Sequence, residues 1–363
     1  MQIKSSIDLR SDLVTKPTQE MIDAMAEAAV DDQGFGLREN KYVQSLEKIA
    51  AEVLGKDDAI FCPSVTMCNQ IAINAATTAG DIIIADRNCH VSVTELGAPA
   101  ALSGVTVEPY DTGDGISIER SIRNLANKLR DSNASQIKML LLENTHTRNG
   151  GTVLTVGDTQ AITEEFRNRK IWVHLDGARL FNAATALETT VSELAASADS
   201  VAISLNKCLS APVGAILAGS RDFILKADKI RQRFGGGWRP AGVVAAAGIV
   251  ALNTMQNTIK YDHEKAKRLA GLVNSLDGIS VSQRSVQTNI VLISTDGLSV
   301  DSHEVIRKLG ERGVLALAFS PSTIRFVFHK DITDESVPVI YDHLKKVVLD
   351  VENKNERNRK YVI

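Results

Sequence analysis

The chain of 363 residues lacks the marks of several protein classes. Its net charge is only −3 and its pI is near 6.2, so no basic surface for nucleic acid is expected. No apolar stretch reaches membrane-spanning length, and the N-terminus lacks the apolar core of a signal peptide. Internal repeats and low-complexity linkers are also missing. We therefore expect a soluble cytoplasmic protein with no nucleic-acid or membrane partner.

Cysteine is scarce as well. The four cysteines are Cys62, Cys68, Cys89 and Cys208, and their spacing matches neither a zinc site nor a redox pair. Cys62 and Cys89 lie in or near apolar runs, which favours buried free thiols in a reducing compartment. No metal site is predicted.

Apolar runs of strand length alternate with stretches of helical period over most of the chain. This alternation favours an α/β fold, in which helices cover a mainly parallel sheet of seven strands. The predicted strands are 58–62, 82–85, 105–108, 139–143, 171–175, 200–204 and 213–218. The predicted helices fall near 18–29, 43–54, 66–79, 118–130, 159–169, 222–232 and 239–255.

The pattern changes near residue 257, where strands become adjacent. The predicted order there is helix 261–275, strand 278–283, strand 288–294, helix 301–312, strand 323–328 and helix 332–347. This order indicates a small α+β domain at 257–363, after a large domain at 18–256. The N-terminal segment 1–17 has no clear place in either sheet.

Two residues in the large domain suggest a coenzyme. Asp176 ends a predicted buried strand, and Lys207 follows later among small residues. Pyridoxal phosphate requires both types: a lysine that holds it as a Schiff base and a carboxylate that pairs with its pyridine nitrogen. Alone, such a lysine is usually a solvated surface charge and such an aspartate a helix N-cap. Together, in this order, they favour the coenzyme.

Two more motifs follow predicted strands. Ser64, Val65 and Thr66 stand between a strand and a helix, where a helix N-terminus can bind a phosphate, although ordinary capping is the alternative. His90 follows the next strand and suits stacking on a planar ring, although a lone histidine is more often structural.

The strand at 139–143 ends in a third polar motif. Glu143, Asn144 and His146 occupy it. Parallel sheets bind ligands at the carboxyl ends of their strands, so these side chains should converge on Asp176 and Lys207.

Two arginines are further candidates for the ligand site. Arg239 follows three glycines and opens an alanine-rich helix, whereas Arg325 lies inside an otherwise apolar strand. A guanidinium fits a carboxylate, which makes an amino-acid α-carboxylate the candidate ligand and an internal salt bridge the alternative.

In this order the motifs resemble the low-specificity L-threonine aldolases, which belong to the β-eliminating lyase group of fold-type I pyridoxal-phosphate enzymes. The matching stretches cover nearly the whole chain: 8–12, 144–146, 174–179, 211–214, 235–239, 288–289 and 325–329. The fold implied is the fold-type I transferase-like architecture.

The resemblance implies roles for individual residues. Lys207 matches the Schiff-base lysine and Asp176 the partner of the pyridine nitrogen. The coenzyme contacts implied are Ser64, Val65, Thr66, His90, Asp176, Arg179, Ser204, Lys207 and Arg239. The substrate contacts implied are Ser11, Phe35, His146, Arg179 and Arg325. The catalytic base is left open between His90, His146 and a water molecule.

The reaction implied is cleavage of the Cα–Cβ bond of a threonine-like β-hydroxy-α-amino acid, which yields glycine and an aldehyde in amino-acid metabolism. Two alternatives stay open: β-elimination or transamination on the same scaffold, and a non-catalytic descendant. The resemblance also implies a homo-oligomer, at least a dimer and in this family a tetramer.

The chain departs from the family pattern at several positions. Val65 replaces a glycine, where its side chain is expected to strain a phosphate loop. Phe35 replaces a tyrosine and lacks its hydroxyl. Asn206, Cys208 and Ser210 alter the lysine motif. These departures fit either tolerated drift or a changed substrate pocket.

Overall fold

The computed structural model describes residues 6–31, 34–36, 38–111, 118–130 and 136–360. Within them the strands are β1 Ile7–Asp8, β2 Asp58–Cys62, β3 Ile82–Asp86, β4 Thr106–Tyr110, β5 Ile137–Glu143, β6 Trp172–Gly177, β7 Ser200–Ser204, β8 Ala215–Gly219, β9 Ile290–Ser294, β10 Val314–Leu315, β11 Leu317–Ser320 and β12 Thr323–Val327. The helices are α1 Gln19–Ala29, α2 Lys41–Leu54, α3 Val65–Ala76, α4 His90–Val93, α5 Ala98–Ser103, α6 Ile118–Arg130, α7 Val156–Arg167, α8 Leu180–Leu187, α9 Val191–Ala195, α10 Arg221–Arg233, α11 Gly242–Thr254, α12 Ile259–Val273, α13 Ser302–Glu311 and α14 Ser336–Lys360.

The chain divides into two compact units. The large unit comprises Lys16–Arg148 and Val153–Gln256. The small unit comprises the described residues of Met1–Thr15, Asn149–Thr152 and Asn257–Ile363. The structure thus also divides the chain after residue 256, and it groups the N-terminal segment with the C-terminal residues.

A seven-stranded sheet forms the centre of the large unit, as far as the described residues show. Its order is β2-β8-β7-β6-β5-β3-β4. Strand β8 runs antiparallel to both of its neighbours, and the other pairs are parallel. The predicted mainly parallel α/β sheet is therefore confirmed. Strands β7 and β8 are buried along their whole length, which explains why they read as continuous apolar runs.

Helix α2 shows how the sequence sets its own boundaries. The Asn40 side chain caps the first turn by accepting hydrogen bonds from two backbone N–H groups. Gly55 ends the helix in the left-handed conformation at φ 62°, which glycine adopts without a steric penalty. Leu46, Ala50 and Leu54 recur at helical spacing and are buried, so one face of α2 packs into the core.

The small unit has a three-stranded antiparallel sheet in the order β11-β12-β9 among its described residues. The apolar core of this unit includes Leu269, Val305, Phe326 and Phe328, contributed by helices α12 and α13 and by the end of the sheet. The predicted α+β character of the C-terminal part is therefore confirmed.

The N-terminal segment belongs to a small sheet, contrary to the prediction that it had no clear place in one. Strand β1 pairs in parallel with β10. The Val327 N–H donates to the Leu9 carbonyl, which joins the segment to the end of β12. The partner strand β10 has only two residues, Val314 and Leu315. A period of two cannot be recognised over so short a run.

Other predictions failed where elements are short. The predicted strand 278–283 is wrong: Ser280 forms only an isolated bridge to Ser294. Strands β10 and β11 and helices α4, α5, α8 and α9 were not predicted. The unpredicted helices have between four and eight residues, too few to display a helical period in the sequence.

One helical run among the described residues is long and apolar enough to cross a membrane by length and composition alone. It spans Gly242–Val273 and contains a window of 18 residues with a mean hydropathy of 1.2. The sequence had predicted no stretch of this length, because polar residues after Leu252 interrupt the apolar run. Half of that window is buried inside the protein, as it is in many core helices.

All four cysteines are free and buried, as predicted. Burial raises the pKa of the Cys89 thiol to about 12 and that of Cys68 well above its ordinary value. Thiols held in this neutral form behave as small apolar side chains.

Candidate active site

Polar side chains collect at the carboxyl ends of four neighbouring strands of the large unit. Glu143 ends β5 and is paired in register with Asp176 near the end of β6. His90 follows β3, and Lys207 follows β7. Because the order of these strands is β7-β6-β5-β3, the predicted convergence of the strand-end motifs agrees with the topology.

Asp176 is the buried carboxylate of this group, with only 2% of its surface exposed. Its Oδ2 accepts a hydrogen bond of 2.7 Å from the Asn69 side-chain amide, and its Oδ1 accepts one of 3.0 Å from the Ala178 backbone N–H. Both donors are neutral. The two hydrogen bonds hold the Asp176 carboxylate in one orientation at the carboxyl end of β6.

His90 is held from two sides. Its backbone N–H donates to Glu143 Oε2 at 2.6 Å, and its ring Nδ1 lies 2.8 Å from Glu95 Oε1. The Glu95 hydrogen bond raises the pKa of His90 above its ordinary value, against the opposing effect of burial. With a proton on Nδ1 directed to Glu95, the other ring nitrogen, Nε2, is the one left to act as a base.

His146 is more deeply buried than His90. Its Nε2 lies 3.1 Å from Asp86 Oδ1. Burial lowers the pKa of His146, but the Asp86 and Glu143 carboxylates outweigh that effect and raise it overall. Each of the two candidate histidines is therefore paired with its own buried carboxylate.

Arg179 is 95% buried and lies just before helix α8. Its Nη1 donates to the Thr147 hydroxyl at 2.8 Å, which ties it to the loop that carries His146. A buried guanidinium near this strand end is suited to bind a carboxylate.

Lys207 is half-buried in a tight turn after β7. Its carbonyl accepts a hydrogen bond from the Ser210 N–H, and the Ser204 hydroxyl donates to the Asn206 side chain at 2.7 Å. The turn thus fixes the backbone around the lysine.

The residues predicted to bind a phosphate lie at the N-terminus of α3. The Ser64 hydroxyl caps the helix by accepting from the Met67 N–H at 3.2 Å. Val65 and Thr66 occupy the first turn, where backbone N–H groups lack helical partners and can bind an anion. Val65 has helical backbone angles, not a positive φ, so the strain expected at this residue is not found.

Two predicted substrate contacts lie in the small unit. Arg325 on β12 donates through Nη2 to the Arg10 carbonyl at 3.1 Å, and its guanidinium carbon is 5.5 Å from the centre of the Phe319 ring. Ser11 follows Arg10 and accepts from the Leu13 N–H. Strand β12 therefore binds the backbone segment that presents Ser11.

Arg239 and Phe35 contact each other at the surface. Arg239 Nη1 donates to the Phe35 carbonyl at 3.0 Å, and its guanidinium lies 5.5 Å from the Phe35 ring centre. Phe35 is 85% exposed. Within this chain both predicted contacts are therefore solvent-facing.

The comparison with known families decides the classification. The family described as Beta-eliminating lyase matches residues 8–296, which is more than half of the chain. The chain belongs to the β-eliminating lyase family. It is 37% identical to low-specificity L-threonine aldolase 1 of Arabidopsis thaliana, covering 96% of this chain and 98% of that one. It is 34% identical to the low specificity L-threonine aldolase of Escherichia coli, covering 93% and 98%.

A solved structure has the same fold as this β-eliminating lyase. The threonine aldolase of Leishmania major superposes with a TM-score of 0.79 at 19% identity, covering 94% of this chain and 99% of that one. The predicted fold-type I architecture is confirmed. The protein is a carbon–carbon lyase that depends on pyridoxal phosphate.

The residues of the large unit fit this coenzyme. Asp176 offers a buried carboxylate, held in place by two hydrogen bonds, that would pair with the pyridine nitrogen. The first turn of α3 offers backbone donors for a phosphate, and Lys207 offers the amine for covalent attachment. The donor set of the lyase therefore matches the three chemical parts of pyridoxal phosphate.

The sequence missed the residues that support these groups. Glu95 is buried and accepts hydrogen bonds from Asn69, Gln70 and His90. Asp86, which is 1% exposed, faces His146. A carboxylate five residues after a histidine, or at the end of a strand, carries no distinctive spacing, so only the fold of the lyase shows these pairs.

His90, Glu95 and Asp176 also form a group that could hold a metal ion, since their ligand atoms lie within 4.8 Å of one another. The Glu95 and Asp176 oxygens already accept hydrogen bonds from Asn69, and Glu95 also pairs with His90. Hydrogen bonding accounts for this cluster in the described part of the lyase.

Ser210 is the departure that carries backbone strain. Its φ of 59° lies in the left-handed region, and its buried hydroxyl has no hydrogen-bond partner among the described residues. Replacing Ser210 by glycine is expected to raise the free energy of unfolding by about 1–2 kcal/mol, because it removes both penalties. Urea denaturation measures this change.

A matched variant separates the two penalties at Ser210. Ser210→Ala removes the hydroxyl but keeps a Cβ atom on a residue in the left-handed conformation. Its free energy of unfolding should therefore rise less than that of Ser210→Gly. A glycine variant no more stable than the wild type would show that neither penalty exists.

Proposed function

We propose that this protein cleaves the Cα–Cβ bond of L-threonine and L-allo-threonine, or of closely similar β-hydroxy-α-amino acids, to glycine and an aldehyde. The observation that carries the proposal is the grouping of Lys207, Asp176, His90 and His146 at adjacent strand ends of one unit. The names of its relatives, at 34–37% identity over nearly the whole chain, support the same substrates.

Each residue then has a physical task. Lys207 attaches the coenzyme, and Asp176 holds the negative charge opposite its ring nitrogen. Pyridoxal phosphate, when bound, supplies the electron sink for the carbanion that remains after cleavage. His90, His146 or a water molecule removes the proton of the β-hydroxyl, and a histidine in this role must be the neutral imidazole. Arg179 neutralises the substrate carboxylate.

Residues outside this group keep the roles that the resemblance suggests. Ser11 and Arg325 are proposed as further carboxylate ligands, and Phe35 as a substrate contact. Ser64, Val65, Thr66, Ser204 and Arg239 are proposed as coenzyme contacts. Support comes from the backbone N–H donors at the N-terminus of α3 and from the attachment of the Ser11 segment to β12.

The experiment is a product assay on the purified protein loaded with pyridoxal phosphate. Incubation with L-threonine and with L-allo-threonine should release acetaldehyde and glycine in equal amounts. Pyruvate and ammonia from L-serine would instead indicate β-elimination. Absence of product from both threonine isomers would contradict the proposal.

The identity of the base can be read from the pH profile of kcat/KM. The base acts in its neutral form, so activity falls when the pH drops below its raised pKa. If His90 is the base, Glu95→Gln removes the partner that raises its pKa and should move the acid limb to lower pH. Asp86→Asn should leave that limb in place.

The converse result identifies His146. In that case Asp86→Asn moves the acid limb to lower pH, because the Asp86 carboxylate is the group that raises the His146 pKa. Glu95→Gln then leaves the limb unchanged. If neither variant shifts the acid limb, a water molecule is the base.

The proposal extends to assembly and location. A homo-oligomer, at least a dimer and in the family pattern a tetramer, is supported by Phe35 and Leu96, which leave 85% and 94% of their surfaces exposed. Sedimentation velocity tests it, and a monomer would contradict it. A cytoplasmic location is supported by the four free cysteines, and cell fractionation tests it.

A further inference from the structure

Behind Asp176 lies a chain of buried hydrogen bonds that the proposed reaction does not use. Its central residue is Asn69 on helix α3, which is fully buried. The Asn69 amide nitrogen lies 2.7 Å from Asp176 Oδ2 and 2.9 Å from Glu95 Oε1. The Asn69 amide oxygen lies 3.0 Å from His174 Nε2. One side chain thus joins a helix, a loop and strand β6.

The direction of each hydrogen bond follows from the chemistry of the groups. Ionised carboxylates only accept, so Asn69 must present its NH₂ group to Asp176 and Glu95. Its oxygen then faces His174, which must donate from Nε2. Burial lowers the pKa of His174 to about 4, so the ring is neutral at pH 7 and carries a single proton.

The far end of the chain agrees with this direction. Neutral His174 must accept at Nδ1, which lies 2.8 Å from the Ser200 hydroxyl. The same Ser200 oxygen accepts from the Trp172 Nε1–H at 2.9 Å, and an indole N–H can only donate. Ser200 is therefore free to direct its own proton to His174. All of these hydrogen bonds therefore run in one direction, from Trp172 to Asn69. The series ends in two N–H donors of Asn69 that point to the Asp176 and Glu95 carboxylates.

We propose that Asn69 is a positioning residue for the coenzyme, acting through Asp176: its amide donates to Asp176 Oδ2 and fixes the orientation of the Asp176 carboxylate. Two buried carboxylates with oxygens within 4.8 Å repel each other. The positive end of the Asn69 amide lies between them and offsets that repulsion. An aspartate at position 69 would have the same shape but would add a third negative charge. An apolar residue at position 69 would leave the Asp176 and Glu95 oxygens without this donor.

The test measures coenzyme binding and charge, not turnover. Asn69→Leu replaces the amide by an apolar side chain of similar size. Its affinity for pyridoxal phosphate, followed by absorbance titration, should fall about 10- to 100-fold, as is usual when a supporting hydrogen bond to a ligand-binding residue is lost. With coenzyme labelled with ¹⁵N in the pyridine ring, the nitrogen resonance should shift away from its value in the wild type.

Gln70 provides the matched control. It is buried beside Asn69 and donates to Glu95 Oε2 at 2.6 Å, with no hydrogen bond to Asp176. Gln70→Met removes a donor from Glu95 alone, so affinity and resonance should stay near the wild-type values. Equal losses in Asn69→Leu and Gln70→Met would overturn the proposal, because the effect would then act through Glu95 and His90.

A double-mutant cycle tests the route through Asp176. In an Asp176→Asn background, adding Asn69→Leu should change coenzyme affinity by less than about two-fold, since the two residues act as one unit. A full additional loss in that background would also overturn the proposal.

Asn69→Ser keeps the test decisive if the leucine variant does not fold. Serine leaves room for water and removes less packing, and a folded Asn69→Ser protein with wild-type affinity and resonance contradicts the proposal. The inference rests on coenzyme binding and not on the proposed substrate. A protein that cleaves no threonine can therefore still show the predicted binding defect.

Discussion

Replacing Lys207 by alanine is expected to lower kcat for threonine cleavage by at least about 10,000-fold. In the proposed function the lysine attaches the coenzyme covalently and its amine takes part in proton transfer, and each role is expected to contribute about 100-fold or more. The visible absorbance band of the bound coenzyme should disappear in the same variant. Stopped assays of acetaldehyde, together with absorbance spectra, measure both effects.

The control for Lys207 is another lysine of the large unit. Lys229 is exposed on helix α10, and Lys229→Ala should keep the activity and spectrum of the wild type. If Lys207→Ala retained more than a few per cent of the activity, Lys207 would not be the attachment site.

Replacing Asp176 by asparagine should have the second-largest effect, a loss of about 1,000-fold in kcat/KM. That loss corresponds to about 4 kcal/mol of transition-state stabilisation. Asparagine has the same shape but no charge, so it no longer favours a protonated ring nitrogen. The NH₂ group of the new asparagine would also face the Asn69 NH₂ group that now donates to Asp176 Oδ2, so that two donors would oppose each other.

Asp199 is the matched control for Asp176. It accepts from the Val173 N–H at 2.7 Å, near the opposite end of strand β6. Asp199→Asn keeps that acceptor, and kcat/KM should change by less than about three-fold. Comparable losses in both variants would mean that Asp176 supports the strand and not the chemistry.

Much of this site could be predicted from sequence because the chemistry lies at strand ends. Asp176, His90 and Lys207 each follow a long apolar run, and such runs are easily recognised. Parallel strands then bring their carboxyl ends to one edge of the sheet. The same reasoning could not find Glu95, Asp86 or the role of Asn69, whose partners are distant in sequence.

Val65 and Ser210 show how local conformation escapes the sequence. Both depart from the family pattern, and the sequence predicted strain only at Val65. Val65 proves to be the first residue of a helix, whereas Ser210 adopts a φ of 59°. The family pattern alone does not distinguish them, because backbone angles at a loop residue depend on the surrounding turn.

By itself, the sequence determined the fold class and the strands of the large sheet, and it named Lys207 and Asp176 as the residues proposed to bind the coenzyme. Apolar periodicity and residue chemistry are local properties, so they can be read along the chain. Only the tertiary structure decided which carboxylate faces which histidine, how the N-terminal segment joins the small unit and which groups Asn69 contacts. Those contacts join residues far apart in sequence, and they form only when packing brings the elements together.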